Sequence, residues 1–304
     1  MKVYQNLTEL VGNTPMLKLN EIEKENNLTG EIYAKLEKFN PAGSVKDRVA
    51  LEIIEDAERN GRLKEGSVII EPTSGNTGIG IAMIGRLKGY KVILTMPSSM
   101  SEERRKVLKA YGAELVLTDA SLGMQGAVDK ANELLAEYPN AIIAGQFTNP
   151  ANVQAHYKTT GPEIWEQMDG QVDVYVATVG TGGTLSGTAK YLKEKNPNIK
   201  VIAVEPAESP LISEGHAGPH GIQGIGANFI PDILDRDIID EVYPVTTAQA
   251  YEVSREIAEK EGVLVGISAG AAAAAAKHFA VDGKKVVVIL PDSGERYLST
   301  ELYK

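Results

Sequence analysis

The sequence predicts an α/β fold with two domains, each with a central, mostly parallel sheet flanked by helices. The chain has 304 residues, which at about 150 residues per domain suggests two domains. Short β-rich runs alternate with amphipathic helical stretches, and this alternation is typical of parallel sheets covered by helices on both faces. Several turns after the predicted strands are rich in Gly, Ser and Thr, as at the ligand-binding edge of such sheets.

The predicted elements follow one another along the chain. We predict strands at Glu31–Leu36, Ser67–Ile70, Tyr90–Met96, Glu114–Leu117, Val172–Val179, Lys200–Val204 and Lys285–Leu290. Apolar residues at helical spacing predict amphipathic helices at Val45–Gly61, Ser101–Gly112, Gly123–Glu137, Thr184–Lys195 and Thr247–Glu261.

Composition excludes several classes of protein. Lys and Arg total 31 and Asp and Glu total 41, which gives a net charge of −10, so the basic surface of a nucleic-acid-binding protein is absent. The chain has no cysteine, which excludes disulfides, thiolate zinc sites and a cysteine nucleophile. No apolar run approaches the roughly 18 to 20 residues of a membrane span, and the N-terminus has no apolar leader. We therefore expect a cytoplasmic protein without membrane contact.

The turn Gly180–Thr184, with the sequence GTGGT, follows a predicted strand and begins a helix. Glycines let a backbone approach an anion closely, and the N–H groups and dipole of the helix start favour negative charge. This pattern predicts a phosphate-binding turn, although a tight turn without a ligand remains an alternative. A dinucleotide fingerprint is poorly matched because Leu185 occupies its third glycine position, and the chain has no P-loop run.

Lys46 follows Gly43 and Ser44 at the predicted start of a helix. The positive end of the helix dipole disfavours a cation there and favours the neutral amine. A neutral amine can form a Schiff base or act as a base. A solvated surface lysine is the alternative.

Two further turns carry hydroxyl groups. TSGNTG at Thr73–Gly78 offers several donors to a small carboxylate, and Ser268 in GISAG precedes an alanine-rich stretch. The alternative is that Thr73, Ser74 and Ser268 only cap helices. The four histidines lack metal-ligand spacing, so we expect them to be structural or on the surface and expect no metal site.

Taken together, these motifs resemble the cysteine synthase/cystathionine β-synthase family of fold-type II enzymes that use pyridoxal 5'-phosphate (PLP), and most resemble the cysteine synthases (O-acetylserine sulfhydrylases). The resemblance implies the tryptophan synthase β-like fold. The matching segments are LVGNTPML (Leu10–Leu17), KLEKFNPAGSVKDR (Lys35–Arg48), EPTSGNTGIG (Glu71–Gly80), MPSSMSEERR (Met96–Arg105), QFTNPAN (Gln146–Asn152), TTGPEIW (Thr159–Trp165), GTGGTLSG (Gly180–Gly187), GIQGIGANFIP (Gly221–Pro231) and PDSGERYLS (Pro291–Ser299).

The resemblance implies roles for individual residues. Lys46 would be the Schiff-base lysine and the base at the substrate Cα, Asn76 the partner of the PLP phenolic oxygen, and Ser268 the residue facing the pyridine nitrogen. The residues implied to bind the phosphate are Gly180, Thr181, Gly182, Gly183 and Thr184. The residues implied to contact the substrate are Thr73, Ser74, Gly75, Thr77, Met100, Gln146, Gly226 and Asn228.

The implied reaction is a β-replacement that forms L-cysteine from O-acetyl-L-serine and sulfide through an aminoacrylate intermediate. Asn228 departs from the pattern, because cysteine synthases usually have glycine there. Sulfide, homocysteine or another thiol therefore remains open as the second substrate. A cystathionine β-synthase and a cysteine or lanthionine β-replacement enzyme that releases hydrogen sulfide are the alternatives. A catalytically silent peptide binder is the non-enzymatic alternative.

The resemblance also implies an arrangement of domains and partners. We expect an N-terminal domain at residues 35–145, with a mobile part near residues 84–128, and a larger PLP domain made of residues 1–34 and 146–304, with the active site between them. We further expect a homodimer, and the C-terminal peptide of a serine acetyltransferase is a candidate partner.

Overall fold

A computed structural model describes residues 3–73 and 75–304 of the chain. Contacts divide it into two compact units. The first unit combines the described N-terminal residues up to Val11 with Val45–Asn152, and the second combines Gly12–Ser44 with Val153–Lys304.

Ten strands and ten α-helices form the described part of the chain. The strands are β1 (Met16–Lys18), β2 (Glu31–Leu36), β3 (Val68–Pro72), β4 (Lys91–Pro97), β5 (Glu114–Thr118), β6 (Ala141–Ile143), β7 (Val174–Thr178), β8 (Lys200–Pro206), β9 (Glu241–Val245) and β10 (Lys285–Leu290). The α-helices are α1 (Asn20–Glu25), α2 (Lys46–Arg59), α3 (Asn76–Leu87), α4 (Glu102–Ala110), α5 (Gly123–Glu137), α6 (Ala151–Ala155), α7 (Gly161–Gln167), α8 (Gly183–Lys195), α9 (Thr247–Glu261) and α10 (Ile267–Phe279). A π-helical turn at His156–Thr160 joins α6 to α7, and short 3-10 helices lie at Leu7–Leu10, Glu37–Phe39, Ala120–Leu122, Gly294–Tyr297 and Glu301–Tyr303.

The second unit contains a six-stranded sheet in the order β1-β2-β10-β7-β8-β9. Among the described strands of this sheet, β1 and β2 form an antiparallel pair and the other pairs are parallel. The central strand β10 has the sequence KVVVIL, and five of its six residues are buried. Such a run is typical of a parallel strand covered on both faces.

A buried ion pair ties β2 to this second unit. Lys35 is 0% exposed, and its Nζ lies 2.8 Å from Glu163 Oε2 and donates to Gln167 Oε1 at 2.8 Å. Loss of a partner would leave an uncompensated buried charge, which is strongly destabilising. The second unit includes residues 35–44, whereas the N-terminal domain was predicted to begin at residue 35.

The first unit contains a four-stranded parallel sheet in the order β5-β4-β3-β6. The segment after β6 is fixed to it, because Glu71 at the end of β3 accepts hydrogen bonds from the backbone N–H groups of Gly145 at 2.8 Å and Gln146 at 3.3 Å. Asn152 Nδ2 donates to the Gln146 carbonyl oxygen at 2.8 Å. These bonds keep residues 146–152 with the first unit, whereas the predicted N-terminal domain ended at residue 145.

The seven predicted strands and five predicted helices are present, with ends that differ by at most two residues. Three strands were not predicted: β1 and β6 have only three residues each, and the edge strand β9 contains Pro244. Helix α3 was missed because its sequence, NTGIGIAMIGRL, is apolar on most sides and has no clear polar face. Within the described ranges, no helix has the length and apolar character that crossing a membrane requires.

Gly270 lies where α10 packs against α9. A Cβ at this position would overlap the carbonyl oxygen of Ala250 and the hydroxyl of Ser254. The second glycine of the GISAG turn is therefore required by helix packing and not by approach to a ligand.

We expect Gly270→Ala to lower the free energy of unfolding by about 1–3 kcal/mol, because the added methyl group forces α9 and α10 apart. Urea-induced unfolding followed by far-UV circular dichroism measures this loss. Ala274→Ser, at a half-buried position of the same helix, is the control and should cost under about 1 kcal/mol. Equal stability of Gly270→Ala and the parent protein would contradict the packing argument.

The carboxyl group of Glu71 is fully buried, and burial raises its pKa to about 7, although the hydrogen bonds from Gly145 and Gln146 act to lower the pKa. The folded chain therefore binds this proton more tightly than the unfolded chain, whose carboxyl has its ordinary pKa of 4.5. The resulting stabilisation is complete below pH 4.5 and is lost as the pH rises through about 7.

We expect the parent protein to lose stability relative to Glu71→Gln between about pH 5.5 and pH 8, by at most about 3 kcal/mol, because only the parent has a proton to lose at this position. Thermal unfolding midpoints of both proteins at both pH values measure the change. A difference between the two proteins that stays constant with pH would show that Glu71 does not titrate in this range.

Candidate active site

In the first unit, parallel strands bring most of the predicted substrate contacts to one edge of the sheet. Thr73 and the start of α3, with Gly75 and Thr77, follow β3, Met100 lies in the turn after β4, and Gln146 follows β6. Because these strands are parallel, their carboxyl ends lie at the same edge, which is where open α/β sheets bind ligands. Ser74 belongs to the same predicted set but lies outside the described residues.

Lys46 is the first residue of α2, as predicted from its position after NPAGSV. Lys46 is half-buried, and the next two residues, Asp47 and Arg48, are buried. Helix α3 approaches the backbone of Lys46 closely, because a Cβ at Gly80 would lie 3.0 Å from the Lys46 carbonyl oxygen. Gly80 thus lets α3 pack closely against the start of α2.

The N-cap of α3 is not Thr73, which the sequence analysis gave as a possible N-cap. Gly75 occupies the N-cap position and Asn76 is the first helical residue, so Thr73 is not the N-cap. Thr73 Oγ1 instead accepts a hydrogen bond from Gly75 N at 3.3 Å. Among the described residues that are not its chain neighbours, none has a heavy atom within 4 Å of where a Gly75 Cβ would be.

Gln146 is held on several sides. Thr77 Oγ1 donates to Gln146 Oε1 at 2.6 Å, and the two residues are 3% and 7% exposed. Glu71 accepts from the backbone N–H of Gln146, and the Gln146 side chain acts to lower the pKa of Glu71. Because Gln146 Oε1 accepts from Thr77, this bond fixes the side on which the amide oxygen lies. Glu71 was missed as a site residue, since a lone acidic residue in a strand carries no functional pattern.

In the second unit, the turn Gly180–Thr184 follows β7 and begins the 13-residue helix α8. Gly182 is the N-cap with a φ of 86°, in the left-handed region that favours glycine. A Cβ at Gly180 would lie 2.5 Å from the Gly224 carbonyl oxygen, and one at Gly182 would lie 2.9 Å from Leu234 Cβ. Both glycines are therefore required by close packing, and the N–H groups of the first helical turn remain available to an anion.

A buried histidine, His156, contacts Thr184 in this turn. His156 is 0% exposed, its Nε2 lies 3.1 Å from Thr184 Oγ1, and its Nδ1 lies 2.8 Å from Thr160 Oγ1. Tyr175 also donates to the Thr184 carbonyl oxygen at 3.2 Å. Of the two predicted possibilities, structural or on the surface, His156 is therefore structural. No pattern in the sequence indicated its contact with Thr184, which lies 28 residues away.

Ser268 is the second residue of α10 and is 5% exposed. Gly266 is the N-cap of this helix, so the alternative in which Ser268 caps it is wrong. The backbone N–H of Gly266 donates to the carbonyl oxygen of Asp292, which follows β10, at 3.3 Å. Ser268 therefore lies near the carboxyl end of β10, the same edge of the sheet that carries Gly180–Thr184.

The loop around Gly226 is bonded to the end of β7. Gly226 N donates to the Val179 carbonyl oxygen at 3.2 Å, directly before the Gly180–Thr184 turn. His220 Nδ1 accepts from Ile222 N at 3.2 Å, so its proton is on Nε2, which lies 3.0 Å from the Gly226 carbonyl oxygen and donates to it. Asn228 follows two residues later and is exposed.

The groups present fit PLP. A helix start with close-packed glycines and two threonine hydroxyls fits a phosphate, the amine of Lys46 at a helix start fits an aldehyde, and the neutral hydroxyl of Ser268 fits a pyridine nitrogen. In the part of the chain that the structure describes, no group of three or more His, Cys, Asp or Glu residues could hold a metal ion.

Comparison with known proteins supports this assignment. The family model described as "Pyridoxal-phosphate dependent enzyme" matches residues 7–292. The chain is 52% identical over 306 residues to a cysteine synthase of Staphylococcus aureus, an alignment that covers 99% of this chain and 98% of the relative.

Solved structures agree with the family match. The crystal structure of a cysteine synthase from Entamoeba histolytica has a TM-score of 0.97 at 47% identity and covers 99% of this chain and 91% of its own. A hydrogen sulfide-producing enzyme from Fusobacterium nucleatum has a TM-score of 0.93 at 47% identity, with coverage of 97% and 100%.

These similarities confirm the predicted resemblance, the α/β fold class and PLP as the cofactor. They extend over nearly the whole chain, including Lys46 at the start of α2 and the Gly180–Thr184 turn at the start of α8. The chain therefore belongs to the family of pyridoxal-phosphate-dependent enzymes.

Proposed function

We propose that this enzyme is a cysteine synthase, which replaces the acetate of O-acetyl-L-serine with sulfide. The observation that carries this proposal is the arrangement in the first unit, where Lys46, the Thr73–Thr77 segment and Gln146 supply an amine and a set of carboxylate-binding groups. The full-length similarity to the Staphylococcus aureus cysteine synthase supports it.

The proposed cofactor contacts are those that the resemblance to cysteine synthases implies. Lys46 would bind PLP covalently, Asn76 would donate to its phenolic oxygen, residues 180–184 would bind its phosphate, and Ser268 would face its pyridine nitrogen. When bound, PLP supplies an electron sink for the carbanion at the substrate Cα.

The chain's own residues bind the substrate and move its proton. The amine of Lys46 removes the Cα proton, and the helix dipole at the start of α2 favours the neutral amine that this step needs. Thr73, Ser74, Gly75, Thr77 and Gln146 bind the α-carboxylate, and the backbone at Gly226 lies near the α-amino group. Met100 and Asn228 complete the proposed substrate contacts.

In this proposal Asn228 affects which nucleophile the enzyme accepts. An exposed amide two residues after Gly226 can hydrogen-bond the amino-acid portion of a larger thiol, which glycine cannot do. The similarity to the Fusobacterium nucleatum enzyme, described as hydrogen sulfide-producing, supports as the second candidate a β-replacement in which cysteine loses its sulfur as hydrogen sulfide and a second cysteine or homocysteine is the attacking thiol. The presence of Lys46 and of the phosphate-binding turn argues against a catalytically silent peptide binder.

Partners, location and domain movements are further proposals from the resemblance. We propose a cytoplasmic homodimer that can bind the C-terminal peptide of a serine acetyltransferase. The division into domains at residues 35–145 and at residues 1–34 with 146–304, and the movement of residues 84–128 on substrate binding, stay predictions.

We expect the purified protein to convert O-acetyl-L-serine and sulfide to L-cysteine, and Lys46→Ala to lower that rate by at least about 10³-fold, because one amine both anchors the cofactor and moves the Cα proton. Product mass and the absorbance of the lysine-bound cofactor are measured together. Lys64→Ala, which removes an exposed lysine, should keep both signals. Substantial cysteine formation by Lys46→Ala would refute the role of Lys46.

We expect residue 228 to control the product mixture when sulfide, cysteine and homocysteine compete. Asn228→Gly should retain sulfide turnover and lose reaction with the larger thiols, whereas Asn228→Asp should add water to give serine, because a carboxylate can activate water and an amide cannot. The amounts of cysteine, cystathionine, lanthionine and serine are compared by mass spectrometry. Faster formation of cystathionine than of cysteine by the parent enzyme would replace the primary proposal with the second candidate.

A further inference from the structure

Glu71 is a buried acid that the proposed reaction does not use. It is 1% exposed, at the end of β3 in the centre of the first unit. Among the described residues no charged group contributes to its pKa, which depends on burial and on hydrogen bonds from Gly145 and Gln146. A carboxyl group without a cation partner is costly to bury, so its position requires a physical reason.

The reason lies in the donors that surround Glu71. The backbone N–H of Gly145 lies 2.8 Å from Oε2, and the backbone N–H of Gln146 lies 3.3 Å from Oε1. Above pH 7 Glu71 is mostly ionised, and a carboxylate only accepts hydrogen bonds, so it satisfies both donors. A glutamine at position 71 would turn its own amide N–H groups toward one of these donors and leave that donor without an acceptor.

The hydrogen bonds of Gln146 restrict the orientation of its side chain in the proposed site. Its Oε1 accepts from Thr77, its carbonyl oxygen accepts from Asn152, and its backbone N–H donates to Glu71. A side-chain amide nitrogen carries two hydrogens, and in the proposed function this nitrogen faces the substrate carboxylate. A Gln146 amide flipped by about 180° would present its oxygen to a substrate carboxylate and repel it.

We propose that Glu71 is a positioning residue that acts through Gln146 and sets the enzyme's preference for an amino acid with a free α-carboxylate. This inference rests on the proposed function only in taking Gln146 as a contact of that carboxylate. Glu71 itself touches neither substrate nor cofactor in this proposal.

The test compares O-acetyl-L-serine with its carboxamide, in which a neutral amide replaces the α-carboxylate. For the PLP-loaded parent enzyme and for Glu71→Gln, kcat/KM is measured with each of the two substrates and sulfide. We expect Glu71→Gln to lower the carboxylate-to-carboxamide ratio of kcat/KM at least about fivefold, mainly through KM for O-acetyl-L-serine. A merely structural defect would lower both values together and leave the ratio unchanged.

Two further variants make the result specific. Glu205 is also buried and accepts two consecutive backbone N–H groups, from Ile212 at 2.7 Å and Ser213 at 3.1 Å, but it lies in the second unit. Glu205→Gln should therefore leave the ratio as in the parent. In a Gln146→Ala background, Glu71→Gln should change the ratio less than about twofold, because residues that act through one contact are not additive.

An unchanged ratio in folded Glu71→Gln, or a full effect of this substitution without Gln146, would overturn the proposal. If Glu71→Gln does not fold, Glu71→Asp carries the test, because it keeps the charge and withdraws the carboxylate by one methylene from Gly145 and Gln146; an unchanged ratio there also overturns it. A parent enzyme that makes no cysteine from O-acetyl-L-serine refutes the proposed function alone. The same ratio is then measured with L-cysteine and its carboxamide.

Discussion

Parallel pairing of strands is the constraint on which the arrangement of this protein depends. Each parallel strand must return through a connection on the face of the sheet, so the following helices all begin at one edge. In the first unit this edge collects the turns after β3, β4 and β6, and in the second it collects the turns after β7 and β10. Helix starts carry unpaired N–H groups and partial positive charge. The backbone of a fold of this kind therefore provides anion-binding positions at these edges, whichever side chains the turns carry.

Polar side chains, of which Glu71 and His156 are buried, then fix the loops at these edges. Glu71 holds the turn after β6, His156 contacts Thr184 in the Gly180–Thr184 turn, and the half-buried His220 holds the carbonyl oxygen of Gly226. Each of these groups pairs with a backbone group or a hydroxyl. Buried groups that are fully paired make a loop rigid, and binding geometry is more accurate when the supporting shell is rigid.

Sequence patterns predicted most of the elements and the residues that are proposed for the site, but not the polar side chains that hold these loops. Hydrophobic periodicity located helices such as Thr247–Glu261, and glycine-rich turns located residues 180–184. Periodicity failed for α3, whose sequence is apolar on most sides, and for β1 and β6, which are too short to show alternation. The pairing of His156 with Thr184 depends on tertiary structure, because 28 residues separate them. The glycine requirement at position 270 likewise appears only when α9 and α10 are packed together.

The cores of both units are built from aliphatic, alanine and aromatic side chains, without a single thiol, because the chain contains no cysteine. Thiol–disulfide exchange needs a protein thiol or disulfide, so sulfide and free thiols around this enzyme have no covalent target on its side chains. Translation of the chain also draws nothing from the cysteine pool that the proposed reaction fills. A cell depleted of cysteine could therefore still synthesise the enzyme that restores the supply.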